Sequence, residues 1–380
     1  MKQTYLLLFC PLVIACQTQD VPQQQAGTCA PDAYAQHPAH QTYQAELVQY
    51  RLATHAPGSV MRIVRPGEAI WQGVAGQSNL EHQTAMRNCD QFRVGSITKM
   101  FVAVAVMKLR EQGKLSLDEK LAQALPGMAG KIPQATQITI RQLLSHTSGI
   151  IDPPNAGMTY QLNIVSQAAA HYNKTIDQLL TEYVYGKPLQ FAPGTGFSYS
   201  NANYWILQQI IESKTGKPLQ SVLSEVIFGP LQLNNTYLER RDDRNVVRGY
   251  ADLYGNGTLF DVSSWDRAED DGKAAGGIIS TAADLTTFLS GLFGGKLLSA
   301  ASVSEMIDSV KLPACPNGDC EYGLGMEKWF TGAGIAYGHN GGSVGFEANL
   351  LYFVENKGIF MLYKNNGNGS DKRLMDRLMK

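Results

Sequence analysis

Read for the spacing of its apolar positions, the chain predicts strands towards both ends and helices in the middle. A helical period runs over 42–55. Ser59–Arg65 and Ala69–Ala75 read as two strands joined at Pro66-Gly67, and Phe92–Gly95 as a short extended piece. From Ser96 to about Gln112 the pattern predicts a helix whose stretch Met100–Met107 is apolar throughout. A helix apolar on every side is buried, and this stretch is far too short to cross a bilayer. Further helices are predicted at 140–146, 175–184, 202–214, 281–292 and 302–310. Glu321–Phe330, Ile335–Gly338, Ser343–Val354 and Gly358–Lys364 predict strands, and a last helix begins at Ser370. The stretches around 150–175 and 240–272 carry no readable period, and no internal repeat appears. The layout is α+β: an antiparallel sheet flanked by helices, interrupted by an all-helical region over about 97–275.

Composition narrows the class. The 380 residues are 44% hydrophobic, enough for a large core, and only 17% charged. Lys and Arg number 32 against 33 Asp and Glu, a net charge of −1. Nucleic acid as a partner is excluded on this ground, since phosphate binding needs a basic face.

The N-terminus stands apart from the fold pattern. Lys2 gives a positive start, and Tyr5–Ala15 is apolar apart from Cys10 and Pro11, which suits a signal segment. Val13-Ile14-Ala15-Cys16 resembles the bacterial lipobox, in which a small residue precedes a cysteine that takes the lipid. The resemblance implies a lipoprotein signal over 1–16 with lipidation at Cys16. Gln17, in place of Asp, implies the periplasmic face of the outer membrane. The protein is then exported and touches the membrane through its anchor alone. Residues 17–40, rich in Gln, Ala and Pro, are expected to be a tether, with the folded domain over 41–380.

If Cys10 leaves with the signal and Cys16 carries lipid, Cys29, Cys89, Cys315 and Cys320 remain. Cys315-Pro-Asn-Gly-Asp-Cys320 brackets a turn and favours a local disulfide, and Cys29–Cys89 follows by elimination. No C-x-x-C occurs and no His lies near Cys315, so a zinc site is not expected.

Three short motifs carry chemistry. Ser96-Ile97-Thr98-Lys99 stands where an extended run turns into the buried helix. A serine needs a base within reach, and a lysine three residues on lies on the same helical face. Burial disfavours its ammonium, and the helix N-terminus offers free N–H groups to an oxyanion. The structural reading makes Ser96 a helix cap. Tyr199-Ser200-Asn201 follows the Pro193–Gly196 loop and opens a helix. Tyr199 suits proton transfer and Asn201 a substrate carbonyl; alternatively Ser200 or Asn201 caps the helix and Tyr199 packs. His339-Asn340-Gly341 lies between two predicted strands, where Asn-Gly is a strong hairpin signal. Its functional reading puts His339 on a strand bordering the site, with Asn340 beside it, and leaves the Gly341–Gly342 backbone open, with the Gly342 N–H as second oxyanion donor.

In this order the motifs resemble those of the serine penicillin-recognising hydrolases: S-x-x-K, Y-x-N and a triplet ending in Gly. Leu143–Gly149 and Ala275–Leu285 match supporting segments, although a Gly149 helix stop and a Thr281–Asp284 capping box explain them structurally. The resemblance covers about residues 40–380 and points to the branch of class C β-lactamases, D-Ala-D-Ala carboxypeptidases, D-aminopeptidases and certain esterases. It implies an antiparallel sheet against a helical region with the site in the cleft between them. It implies Ser96 as nucleophile, Lys99 and Tyr199 as proton carriers, and Asn201, His339, Asn340 and Gly341 around the substrate. Class C β-lactamases carry Lys where His339 stands, so the match is better to the carboxypeptidase and aminopeptidase type.

The expected activity is a D-alanyl-D-alanine carboxypeptidase acting on peptidoglycan stem peptides without cofactor or metal. An esterase or β-lactamase on the same machinery is the alternative, and a non-catalytic peptidoglycan-binding lipoprotein the other. Gly341-Gly342-Ser343-Val344-Gly345 fits the nucleophile elbow of α/β-hydrolases, but the elbow needs a helix after the serine and a downstream His. A strand is predicted after Ser343, and all 7 His precede it. No H-E-x-x-H occurs.

Overall fold

The computed structural model describes residues 33–167, 174–238, 246–308, 320–367 and 372–380. Its strands are β1 Gly58–Val64, β2 Trp71–Asn79, β3 Thr84–Ala85, β4 Phe92–Arg93, β5 Tyr250–Ala251, β6 Phe260–Asp261, β7 Ile279–Ser280, β8 Cys320–Tyr322, β9 Glu327–Thr331, β10 Gly334–Gly342, β11 Glu347–Phe353 and β12 Ile359–Lys364. Eight form one antiparallel sheet in the order β3-β2-β1-β12-β11-β10-β9-β8. The first strands thus close on the last, Ser59 opposite Lys364, and the chain between β3 and β8 is an insertion into the sheet's strand order.

That insertion is mostly helical: α2 Thr98–Glu111, α3 Leu121–Ala124, α4 Ile140–Leu144, α5 Met158–Gln167, α6 Ile176–Tyr183, α7 Asn201–Thr215, α8 Leu219–Leu223, α9 Gly229–Leu231, α10 Ser263–Asp270, α11 Ala282–Phe293 and α12 Ala300–Ile307. Helices α1 His40–Ala53 and α13 Lys372–Met379 cover the opposite face of the sheet. Period-2 alternation sorts the strands between the two layers. Met61 and Ile63 pack with Tyr43, Leu47, Leu374 and Leu378, whereas Val60 and Met361 join the larger core under α2 and α11.

Helix α2 is buried from Thr98 to Met107, as its apolar sequence requires. Phe101 stacks on Phe288 of α11 with ring centroids 3.7 Å apart. Burying one such ring contributes about 1.5–3 kcal/mol, which outweighs the weak helix propensity of the β-branched residues beside it. Local signals start the shorter helices. Thr139 Oγ1 accepts from Gln142 N while Gln142 Oε1 accepts from Thr139 N, and Thr175 and Gln178 do the same.

Several sequence expectations change. The strand expected over Glu321–Phe330 divides into β8 and β9, and the region expected to be all-helical over about 97–275 also holds the short pair β5 and β6. His339-Asn340-Gly341 is no turn: it lies inside β10, where ladder pairing with Leu350, Asn349 and Ala348 overrides the Asn-Gly preference. The left-handed residue nearest the end of α4 is His146, at φ +57°, three residues before the expected Gly149 stop. Only half of the Thr281 capping box forms, because the Asp284 carboxylate is drawn to Asn235 N and Thr236. The folded domain also begins before residue 41: Ala33–Gln36 makes a 3-10 turn, and the Tyr34 hydroxyl accepts from Arg62. Cys89 and Cys320 are each disulfide-bonded. Cys16, Cys29 and Cys315 lie outside the described residues.

Candidate active site

The sequence brings β4 into a turn at Gly95, then a 3-10 turn holding Ser96, then α2. Two glycines allow this turn to press against β10. Gly95 has φ +53°, and a Cβ there would lie 2.7 Å from Gly342 N. A Cβ on Gly341 would lie 1.9 Å from Val94 O. Only backbones without side chains fit so closely. The Gly341–Gly342 segment therefore flanks the half-buried Ser96.

Lys99 follows one helical turn on, and none of its surface is exposed. Its Nζ lies 2.9 Å from Ser96 Oγ, 2.7 Å from Asn201 Oδ1 and 2.7 Å from Ala275 O. Three acceptors match the three donors of an ammonium. Burial nevertheless brings the Lys99 pKa down to about 8, against the opposing fields of Asp270, Asp152, Glu269 and Glu327. The Tyr199 ring, 4.8 Å from Nζ, also favours the charged form and is likewise overruled. Once one proton leaves, Nζ can accept from the Ser96 hydroxyl, which is the arrangement a nucleophile needs.

Tyr199 and Asn201 come from the start of α7. Ser200 is the N-cap, but its hydroxyl donates to Ile151 O, and Asp152 Oδ1 instead accepts from Asn201 N at 2.8 Å. Asp152 also accepts from Asn201 Nδ2 at 3.2 Å, which leaves Asn201 Oδ1 facing Lys99. The Tyr199 hydroxyl is buried without a hydrogen-bond partner among the described residues. Its pKa is pushed well above the ordinary phenol value, by burial first, with nearby Ser96 acting the other way. The phenol therefore stays protonated beside the Ser96 hydroxyl, where it can give up a proton.

His146 supports this corner from behind. Its Nδ1 accepts from Ser200 N at 3.1 Å, which places the ring proton on Nε2. Its ring centroid is 4.2 Å from that of Tyr199. Burial holds His146 well below the usual imidazole pKa, so the neutral ring packs without a charge to solvate.

The third motif is placed differently from its expected role. His339 has no exposed surface. Its Nδ1 donates to Asn340 O, and its Nε2 accepts from the Tyr322 hydroxyl at 2.9 Å. Burial, then Lys99, brings its pKa down to about 3. Glu327 Oε1 lies 3.8 Å from Nδ1, but a neutral ring makes no ion pair with it. Glu327 spends Oε2 on Asn340 N and Trp329 Nε1. His339 therefore fixes the backbone of β10, and the exposed residue of the triplet is Asn340.

Several groups at this site gave no usable sequence signal. His146 and Ala275 lie in the two supporting segments, where helix-stop and capping readings accounted for them. Asp152 and the α10 carboxyls Glu269 and Asp270 fall in stretches with no distinctive period, while Tyr322 and Glu327 sit in a predicted strand whose pattern gives no hint of chemistry. Burial raises both α10 carboxyls, and each also feels charged neighbours. The Ser343 hydroxyl donates to Asp266 Oδ1 and precedes strand β11, so the elbow reading fails on geometry as well.

A family model described as Beta-lactamase matches residues 43–380. Penicillin-binding protein 4* of Bacillus subtilis strain 168 is 27% identical over 314 residues, covering 79% of this chain and 66% of that protein. The chain thus spans slightly less than two thirds of that curated relative's length. Among solved structures, a D-stereospecific amidohydrolase from Streptomyces sp. superposes with a TM-score of 0.75 at 29% identity, covering 87% of this chain and 96% of that one. A D-amino acid amidase from Ochrobactrum anthropi SV3 superposes with a TM-score of 0.77 at 25% identity, covering 89% and 96%. With that match over most of its length and the fold shared with these structures, the chain belongs to the beta-lactamase family, a group of serine hydrolases that includes penicillin-binding proteins.

Proposed function

We propose that the protein cleaves amide bonds next to D-residues through an acyl-enzyme on Ser96. The observation that carries this reading is the buried Lys99 Nζ, 2.9 Å from Ser96 Oγ, with its pKa brought down to about 8. Ser96 attacks the carbonyl carbon, and its proton passes to the Lys99–Tyr199 pair, which returns one to the leaving group. The N–H groups of Ser96 and Gly342 hold the oxyanion, each worth about 10²–10³ in rate. Water then releases the acyl group. A D-alanyl-D-alanine carboxypeptidase on stem peptides is one member of this class, and the similarity to penicillin-binding protein 4* supports it.

A second reading, amidase or esterase action on substrates without a terminal carboxylate, is favoured by His339. The ring expected to meet that carboxylate is enclosed and neutral. A panel of a D-Ala-D-Ala peptide, a D-amino-acid amide, an aryl ester and a penicillin, run on protein lacking residues 1–26, separates the readings. Turnover of none of them, with no probe adduct on Ser96, would reject the hydrolase proposal and leave the peptidoglycan-binding alternative. For the leader we keep the lipobox reading: export, with a lipid on Cys16, rests on the residue pattern alone.

A further inference from the structure

The second site of interest lies away from this cleft. On the helical side of the sheet, a cavity of about 400 Å³ opens between the end of β1, the end of α9 and α11. Arg62 projects into it from β1, and Lys296 lines it from the turn after α11. Arg62 shares a ladder row with Met361, Leu350 and His339, so three strand spacings, roughly 14 Å, separate it from the third motif.

Arg62 is only 7% exposed. A guanidinium so buried normally meets a carboxylate, because neutral acceptors offset only part of its lost hydration. Here Nε donates to Thr286 Oγ1 at 3.0 Å, and Nη1 to Tyr34 Oη at 3.0 Å and Gln72 Oε1 at 2.7 Å. All three are neutral, and Nη2 finds no acceptor among the described residues. Asp284 feels the Arg62 charge, but its Oδ2 is committed to Asn235 N and Thr236 Oγ1, and it does not line the cavity. Lys296 makes no ion pair among the described residues. No Asp or Glu lines the cavity, while the exposed Ser290 and Thr287 add hydroxyls and Ile70 and Leu231 an apolar wall.

We propose that this cavity binds a small organic carboxylate, with its charge between Arg62 Nη2 and Lys296 and its apolar body against Ile70 and Leu231. Two cations with no carboxylate in contact among the described residues specify the anion. The apolar wall distinguishes an organic acid from a bare inorganic ion, and the volume falls within the range of small-molecule sites.

Calorimetric titration of the intact protein with benzoate tests this, with inorganic phosphate as the comparison anion. Saturable benzoate binding in the millimolar range is expected, retained in Ser96→Ala and weakened about tenfold in Lys296→Ala by loss of one charge-assisted contact. Lys296 is exposed, so that variant keeps the fold even if Arg62→Gln does not. Ser290→Phe should also weaken binding by filling the cavity. No saturable benzoate binding, benzoate binding indifferent to both Lys296→Ala and Ser290→Phe, binding abolished by Ser96→Ala, or tighter binding of phosphate than of benzoate would each overturn the assignment.

Discussion

Lys99 Nζ and Ser96 Oγ stand 2.9 Å apart across one turn at the start of α2, and the lysine is wholly buried while the serine is half exposed. This asymmetry sets the chemistry. The hydroxyl can meet a substrate, and its neighbour is held where an ammonium is costly. The pair is local in sequence, but the depressed pKa is not, since it depends on β10, α7 and the 275–277 turn closing over the lysine.

Ser96→Ala should abolish labelling by a fluorophosphonate or penicillin and lower turnover by about 10⁴-fold or more. Lys99→Ala should be nearly as damaging, because the hydroxyl then has no base within reach. Intact-mass analysis with peptide mapping reads both. An adduct on Ser343, or full activity in Ser96→Ala, would sink the proposal.

The Lys99 pKa of about 8 predicts the pH profile. Nζ is protonated below this value, so kcat/KM should rise with pH and level off above about 8. His339, at about 3, contributes no limb in the neutral range. Stability carries the same sign. The folded chain releases the Lys99 proton before the unfolded chain does, so this group's contribution to stability improves as pH rises from about 8 towards the ordinary lysine value of about 10.4. A kcat/KM profile flat between about pH 6 and pH 9 would contradict the assigned base.

Tyr199→Phe removes a buried O–H whose neighbour is the Ser96 hydroxyl and keeps the ring that packs against His146 and Lys99. Thermal stability should therefore change little. If the phenol relays protons, kcat should still fall by about 10²–10⁴, the usual share of general acid–base catalysis. Unchanged kcat with unchanged melting would leave Tyr199 as packing for His146 and Lys99.

Much of this fold was legible because its elements are strongly periodic. Strands β1 and β2, helices α2 and α7 and the terminal helix lie within a few residues of where the apolar pattern predicts them. Helix α10 was not legible. Ser263–Asp270 is polar, and its buried carboxyls are tolerated because Arg93, Lys99 and Lys273, brought near by the tertiary fold, offset part of their burial cost. Ser96 and Lys99 could be read because their spacing alone puts them on one helical face. Asp152 and Tyr322 could not, since each acts through a residue distant in sequence, Asn201 and His339. His339 was placed on a strand bordering the site, and a strand it is, but inside β10 its side chain alternates inward and leaves Asn340 exposed.

The leader proposal has its own test. Cys16→Ser should leave uncleaved precursor or soluble protein where the unaltered chain partitions with membranes. Fractionation that does not differ between the two would remove the lipid anchor from the picture without touching the Ser96 chemistry.

The enclosed His339 yields the sharpest discrimination among substrates. A charged imidazole facing a substrate carboxylate would make His339→Ala hurt a D-Ala-D-Ala peptide far more than its C-terminal amide. The geometry predicts otherwise. The ring is neutral, and its two nitrogens are occupied by Asn340 O and Tyr322 Oη. Truncation leaves both groups unpaired in the interior, a cost of about 1–3 kcal/mol of stability each. It also loosens the β10 backbone that carries Gly341 and Gly342 past Ser96. Oxyanion binding should then suffer equally for acid and amide, so kcat/KM should fall for both while their ratio stays within about twofold. His339→Gln, which can restore one of the two hydrogen bonds, should recover part of the stability and part of both rates. A tenfold or greater selective loss on the acid substrate would show that a positive His339 meets the carboxylate after all, and would return the carboxypeptidase reading to first place.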